Sequence, residues 1–168
     1  MSWYLHTYQS QWLPRRLLDT PGTPADTLFR ASRPWGIKLD FSKALSGAAA
    51  SALARDRATA INPAVFDAAA LALSASWEQY TYPGVPGHEP DVKLAEAGQQ
   101  AVTDVMDIIR AAAPDAGSYV NETDYHQLGW QRSFWGDNYA RLPEIKHTYD
   151  PGNLFRVHHG VGSETTGD

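Results

Sequence analysis

Two carboxylates in the last third of the chain have the spacing that acid–base chemistry could use. Glu122 and Asp124 are separated by one residue, so in a β-strand both side chains would point to the same face. Two carboxylates held on one face raise the pKa of one of them, which makes that group a general base. The competing interpretation is that both are solvated charges at the end of a strand. The local sequence by itself favours this second interpretation.

Most other catalytic and metal-binding patterns are missing. The chain has no Cys, which excludes disulfides, thiolate metal sites and a Cys nucleophile within it. Its six His show no HxH or HxxxH spacing, and the adjacent His158 and His159 would point to opposite faces of a strand, so we expect no metal site. There is no GxGxxG, phosphate-binding loop or GxSxG elbow, although a Ser-His-Asp triad is not excluded by composition.

Charge and hydropathy limit the classes of partner. The 168 residues carry a formal net charge of −5, and Arg15-Arg16 is the only adjacent basic pair, which argues against nucleic acid and anionic membranes as partners. No segment approaches the roughly 20 apolar residues that a membrane span needs. We therefore expect a cytoplasmic protein whose partners include neither nucleic acid nor a membrane.

The elements that must position these residues follow from periodicity and turn signals. Residues 1–26 mix aromatics with prolines and predict an irregular N-terminal arm. Gly36 to Phe41 alternates between apolar and polar residues, which predicts a strand, and Pro34 excludes a central position in a sheet there. Ala-rich Ser42 to Arg57 predicts a helix. Asp91 to Ala113 is the clearest helix, with Pro90 suited to its first turn.

The secondary structure of the segments after residue 63 is harder to predict from the sequence pattern. Ala64 to Tyr80 is divided, because its Ala content favours a helix whereas alternation through Leu71, Leu73, Ala75 and Trp77 favours a strand. Thr81 to Pro90 predicts a loop, and Gly117 to Val120 a short strand. Trp130 to Tyr149 predicts a second helical region that is kinked or divided at Pro143. Strands interleaved with helices, without strict βαβ alternation, predict one α+β domain over residues 1–168.

Three motifs follow one another between residues 117 and 164. They read YVNETD at 119–124, FWGDNYARL at 134–142 and IKHTYDPGNLF at 145–155, and VGSE closes the run at 161–164. Together, in this order and spacing, they resemble the C-terminal signature of berberine bridge enzyme-like FAD-linked oxidoreductases of the vanillyl-alcohol-oxidase type. The closing VGSE resembles the fungal and bacterial branch.

The resemblance implies an organisation for the chain. It implies a substrate-binding-domain-like part over residues 27–116, which is an antiparallel sheet flanked by helices, and a helical berberine bridge enzyme-like segment over residues 117–164. Asn62-Pro63-Ala64 and the run to Trp77 also resemble a strand-bearing segment of the same branch, which favours a strand for Ala64 to Tyr80.

It also implies a cofactor and candidate site residues. By this resemblance Tyr119, Asn121, Asn138 and Asn153 are expected to face FAD, and amide side chains can match the alternating donors and acceptors of a flavin. Glu122 stands where plant members have an active-site Tyr. It would serve as the base, bind an amine substrate, or be a salt-bridged loop residue.

The family's long N-terminal FAD-binding domain has no counterpart in these 168 residues. We therefore expect that domain on another chain or in a homo-oligomer, unless the chain is a truncated product or a repurposed domain. The expected function is the substrate-side part of an FAD-dependent oxidoreductase that oxidises a small organic substrate by hydride transfer, not active as an oxidase alone. The alternatives are a non-catalytic ligand- or protein-binding domain and a flavin-free cyclase or isomerase that uses Glu122.

Overall fold

The computed structural model describes residues 3–41 and 47–165, with the backbone alone at 3–5 and 165. The strands are β1 (Trp3–Pro14), β2 (Lys38–Asp40) and β3 (Ala68–Gln79). The α-helices are α1 (Thr23–Ala31), α2 (Ala50–Arg57), α3 (Val92–Ala112), α4 (Trp130–Trp135) and α5 (Leu142–Tyr149). Short 3-10 helices span Arg15–Asp19, Pro63–Phe66, Gly136–Arg141 and Ser163–Thr165.

The three strands form one antiparallel sheet in the order β1-β3-β2. In its register Tyr8 lies opposite Ala75, and Leu73 lies between Ser10 on β1 and Lys38 on β2. Because side chains opposite one another in a sheet share a face, these five residues lie on the same side. The small antiparallel sheet with helices confirms the predicted α+β class.

The core lies between the other face of the sheet and helix α3. Ala72 of β3 is fully buried together with Val102, Val105, Met106 and Ile109 of α3. These α3 residues recur at helical spacing, and each buried side chain of this size contributes about 1.5–3 kcal/mol to folding. The helix begins after Asp91, whose carboxylate accepts a hydrogen bond from the N–H of Leu94 at 2.9 Å.

Several predicted elements are confirmed. The strand in Gly36 to Phe41 is β2 at a sheet edge, and the helix in Asp91 to Ala113 is α3, although Pro90 precedes its N-cap instead of entering the first turn. Ala64 to Tyr80 contains the strand β3, as the resemblance favoured. Its centre is buried on both faces, which explains why its pattern was ambiguous. For Ser42 to Arg57 the helix is limited to α2, and residues 42–46 lie outside the described part of the chain.

The predicted irregular arm is wrong for most of residues 1–26, because β1 occupies Trp3–Pro14, a 3-10 helix follows at Arg15–Asp19 and α1 begins at Thr23. Its face towards α3 carries Thr7, Gln9 and Gln11, all buried. Polar residues therefore occupy the positions where a half-buried strand normally shows apolar ones, and the alternation that identifies a strand is disguised.

The predicted division of residues 130–149 into two short helices is confirmed by α4 and α5, but the break lies before Pro143. The helical region is interrupted at Gly136, which has φ +55° and a 3-10 stretch after it. Pro143 lies in the first turn of α5, where its missing N–H has no intrahelical partner to lose. None of the described helices is long and apolar enough to cross a membrane.

Candidate active site

The segment at residues 117–124 runs along the outer edge of β1 in the opposite direction. The N–H of Trp12 donates to the carbonyl of Gly117 at 2.9 Å, and the N–H of Tyr119 donates to Ser10 Oγ at 3.0 Å. The predicted strand at Gly117 to Val120 is wrong, because one contact to β1 is made by the backbone and the next by a side chain, so no ladder forms. Instead, the N–H of Glu122 donates to the carbonyl of Tyr119 at 2.9 Å and closes a turn.

The turn carries Glu122 to the hydroxyl of Tyr8. Burial, and next the charge of the Glu122 carboxylate and its action as a hydrogen-bond acceptor, raise the pKa of Tyr8 to about 12. Tyr8 therefore remains protonated at neutral pH, with its hydroxyl beside the carboxylate. A carboxylate next to a protonated phenol is suited to accepting a proton from a third group.

Tyr8 also lines a cavity of about 500 Å³ on the sheet face opposite α3. The other lining side chains include Trp35, Lys38, Leu73 and Trp77. The indole N–H of Trp35 donates to the carbonyl of Ala75 at 2.9 Å, which fixes that ring at the cavity wall. This size, with mainly apolar walls and few polar groups, is typical of a small-molecule pocket.

Tyr119 and Asn121 lie in the same turn as Glu122. The Asn121 amide donates to the Tyr119 hydroxyl at 2.9 Å, and the Tyr119 ring lies 6.0 Å from that of Trp12. Tyr119 is 38% exposed. The structure thus brings together three of the residues that the sequence singled out, each with polar groups near the protein surface.

Asn138 and Asn153 lie in different contacts. The Asn138 amide donates to the carbonyl of Ile61 at 2.8 Å. Asn153 has φ +50°, and its buried Oδ1 has no hydrogen-bond partner among the described residues. It lines a separate cavity of about 250 Å³ with Lys146 and His147. These residues fit a flavin in part, because the buried Asn153 oxygen is an unpartnered acceptor, whereas the amides of Asn121 and Asn138 already donate to Tyr119 and Ile61.

Asp124 does not share a face with Glu122, contrary to the strand prediction. Its carboxylate accepts hydrogen bonds from Thr7 Oγ1 and from Gln9 Nε2, the latter at 2.9 Å, on the side of β1 that faces α3. The turn at residues 119–122 breaks the two-residue alternation that a strand would have imposed. Tyr8 was missed because it lies in the segment predicted as an irregular arm, where the polar residues Thr7, Gln9 and Gln11 on the buried face disguise the strand pattern.

A second aromatic cluster lies at the C-terminal end. Tyr125 stacks on His158 with ring centroids 3.5 Å apart, and His159 stacks on Trp130 at 5.4 Å. Burial, and next the neighbouring His158, lower the pKa of His159. These rings line a cavity of about 430 Å³. Within residues 3–41 and 47–165 no three His, Cys, Asp or Glu side chains form a group that could hold a metal ion.

Comparison with known proteins identifies relatives of this fold. Residues 118–162 match the family described as "Berberine and berberine like". The chain is 32% identical over 160 residues to an uncharacterized FAD-linked oxidoreductase of Arthroderma benhamiae, which covers 92% of this chain and 25% of that protein. It is 40% identical over 72 residues to the VAO-type flavoprotein oxidase VAO615 of Thermothelomyces thermophilus, covering 43% of this chain and 12% of that protein.

Solved structures agree with the sequence matches. The crystal structure of the VAO-type flavoprotein MtVAO615 from Myceliophthora thermophila matches with a TM-score of 0.68 and 28% identity, covering 94% of this chain and 27% of that one. MtVAO713 from the same organism has the same fold, with a TM-score of 0.67, 20% identity, and coverage of 94% and 26%. The chain thus spans about a quarter of the length of these relatives. The resemblance inferred from the three motifs is confirmed.

Proposed function

We propose that this chain, which matches the berberine and berberine-like family over residues 118–162 and has the fold of VAO-type flavoproteins, forms the substrate-side part of an FAD-dependent oxidoreductase. Its relatives are FAD-linked oxidoreductases. The proposal extends this activity to the present chain, with a small organic molecule as substrate. Residues 27–116 would form the substrate-domain part and residues 117–164 the segment that returns towards the cofactor.

The observation that supports this function is the Tyr8–Glu122 pair beside an apolar cavity. Tyr8 lines the cavity, and the Glu122 carboxylate beside its hydroxyl helps to raise its pKa. A substrate whose apolar body contacts Trp35, Leu73 and Trp77 would present its hydroxyl or amine to the Glu122 carboxylate. Glu122 would accept the proton, and the hydrogen bond from Tyr8 would orient the carboxylate and share its charge.

FAD, when bound, would supply the acceptor for the hydride that leaves the substrate carbon. Tyr119, Asn121, Asn138 and Asn153 are proposed to face it. Tyr119 offers an exposed ring next to Glu122, and Asn121 offers an amide in the same turn. An FAD-binding domain on another chain, or supplied in a homo-oligomer, would complete this site.

A chimera tests the function. This chain would replace the matching 27% of MtVAO615, and the purified chimera would be examined for visible flavin absorbance and for bleaching by a panel of alcohols and amines without oxygen. We expect flavin to be retained and at least one substrate to reduce it.

Glu122→Gln in the same chimera separates the base from the cofactor site. Flavin should still bind, because Glu122 is not among the residues proposed to face it. The rate of flavin reduction should fall by about 10²–10⁴, which is the usual contribution of a general base. Loss of flavin from every soluble chimera, or reduction that Glu122→Gln leaves unchanged, would contradict the proposed function.

A further inference from the structure

Two acidic residues two positions apart contact opposite sides of one strand. Thr7 and Gln9 point towards α3 and are 2% and 5% exposed, whereas Tyr8 between them points to the cavity side. Asp124 is hydrogen bonded to Thr7 and Gln9. The Glu122 carboxylate lies beside the Tyr8 hydroxyl, whose pKa it helps to raise. The loop at residues 119–124 therefore contacts three consecutive residues of β1, with Glu122 on one face of the strand and Asp124 on the other.

Asp124 has both carboxylate oxygens occupied. Oδ2 accepts from Gln9 Nε2 at 2.9 Å and from the Thr7 hydroxyl, and Oδ1 accepts from the N–H of His126 at 2.9 Å. Hydrogen bonds to a charged carboxylate are stronger than those between neutral groups. Asp124 therefore ties the end of the loop to β1 and to the residue that begins the following turn.

The amide of Gln9 is itself oriented by α3. Its Oε1 accepts from Arg110 Nη2 at 3.0 Å, and its Nε2 lies 3.3 Å from Thr103 Oγ1 as well as near Asp124. Because the Arg110 guanidinium is only a donor, it requires the oxygen of Gln9 on its side and so directs the NH₂ towards Asp124. A guanidinium and a carboxylate are thus linked through one buried amide, which satisfies both without direct contact.

The loop is fixed to β1 on both sides of Glu122. Before Glu122, the N–H of Tyr119 donates to Ser10 Oγ at 3.0 Å; after it, Asp124 is bonded to Thr7 and Gln9. The backbone position of Glu122 is therefore set by contacts that lie outside the cavity.

We propose that Asp124 is a positioning residue that holds the Glu122 carboxylate against the Tyr8 hydroxyl, with Gln9 and Arg110 fixing Asp124 from α3. This role rests on the proposed function for its catalytic meaning, since it is the placement of the base that Asp124 secures. Asp124 itself stays on the α3 side of the sheet and takes no part in proton transfer.

The experiment reads the Tyr8–Glu122 contact directly in the isolated full chain without flavin. The chain is labelled with tyrosine carrying ¹³C at Cζ, the Tyr8 signal is assigned with Tyr8→Phe, and its shift is followed with pH. In the native chain Tyr8 should titrate near 12. Glu122→Gln should lower this pKa towards the ordinary value of about 10, which establishes the response to loss of the contact.

Asp124→Asn and Thr7→Val are the test variants. Asp124→Asn removes the charged acceptor, and Thr7→Val removes one donor to it with almost no change in volume. We expect each to lower the pKa of Tyr8 by about one unit, a tenfold change in acidity. Asp107→Asn is the matched control, because Asp107 is a mostly exposed carboxylate that pairs with the same Arg110 and lies outside the loop; it should leave Tyr8 unchanged.

A merely structural role for Asp124 would lower the free energy of unfolding without moving the Tyr8 titration. If folded Asp124→Asn and Thr7→Val both titrate as the native chain does, the positioning role is overturned; if Asp124→Asn does not fold, Thr7→Val decides. A Tyr8 shift in these variants together with an inactive chimera would retain the positioning role and reject only the proposed oxidoreductase function.

Discussion

Replacing Gly98 with Ala should destabilise the protein, because α3 has no room for a Cβ where it crosses β3. A Cβ built on Gly98 would lie 2.0 Å from Ser76 Oγ and 2.8 Å from Ser76 Cβ. The hydroxyl can rotate away, but the Ser76 Cβ is fixed by the strand. Since carbon atoms pack at about 3.5–4.0 Å, the helix and strand would have to separate by roughly 1 Å.

The size of the effect follows from two opposing contributions. Ala is favoured over Gly in a helix interior by up to about 1 kcal/mol. Overpacking that forces the backbone to shift costs about 1–3 kcal/mol, and the upper end applies because a strand Cβ cannot turn aside. We therefore expect Gly98→Ala to lower the free energy of unfolding by about 2 kcal/mol.

Urea unfolding followed by circular dichroism measures this difference. Gly152→Ala is the control, because no atom lies within 4 Å of its added Cβ and its φ is not positive; it should unfold at nearly the native midpoint. Ser76→Gly combined with Gly98→Ala removes the clash and should recover part of the loss relative to Ser76→Gly alone. A Gly98→Ala protein as stable as the native chain, or a double variant with no such coupling, would refute the steric explanation.

Two further predictions concern side chains that form hydrogen bonds within or to the C-terminal half. Asn62→Ala should lower the free energy of unfolding by about 1–3 kcal/mol, because the buried Asn62 amide donates to the carbonyl of Ser133 at 2.7 Å and its Oδ1 accepts from the N–H of Ala64 at 3.0 Å; an unchanged urea midpoint would contradict this. Lys146→Met should raise the pKa of Asp150, which the Lys146 hydrogen bond chiefly holds below its ordinary value, as measured by NMR of the carboxyl carbon. Because the pKa of Asp150 is lower in the folded chain than in the unfolded one, its stabilisation is present above the unfolded pKa and is lost as the pH falls through the folded pKa. Asp150 should therefore titrate at lower pH in the native chain than in Lys146→Met. Equal pKa values in the two proteins would reject the role of Lys146.

The sequence predicted correctly those elements whose buried residues are apolar and recur with the period of a helix or strand. Helix α3 is recognisable because its apolar residues recur on one face, and β2 because it alternates beside a Pro that only a sheet edge tolerates. Glu122, Tyr119 and Asn121 could be grouped in advance because they are neighbours in one motif.

The rest depends on contacts between distant residues. The strand β1 escaped prediction because Thr7, Gln9 and Gln11 fill its buried face and find partners that only the folded chain supplies. Tyr8 could not be joined to Glu122 for the same reason, since 114 positions separate them (122 − 8). A strand was expected at Gly117 to Val120 because its sequence is compatible with one. Instead, the N–H of Tyr119 donates to the Ser10 hydroxyl, and the N–H of Ser118 donates to the carbonyl of Ser133.

The segment at residues 117–124 also has a consequence for the solubility of the folded chain. An unpaired strand edge is a template on which another molecule can add a strand and begin aggregation. The segment lies along the outer edge of β1 from Trp12 to Thr7 without extending the ladder, so it occupies this edge while offering no regular edge of its own. At the other side of the sheet, β2 has only three residues, which is too short a row to recruit a partner strand efficiently. The loop that carries Glu122 therefore also covers the outer edge of β1 between Thr7 and Trp12.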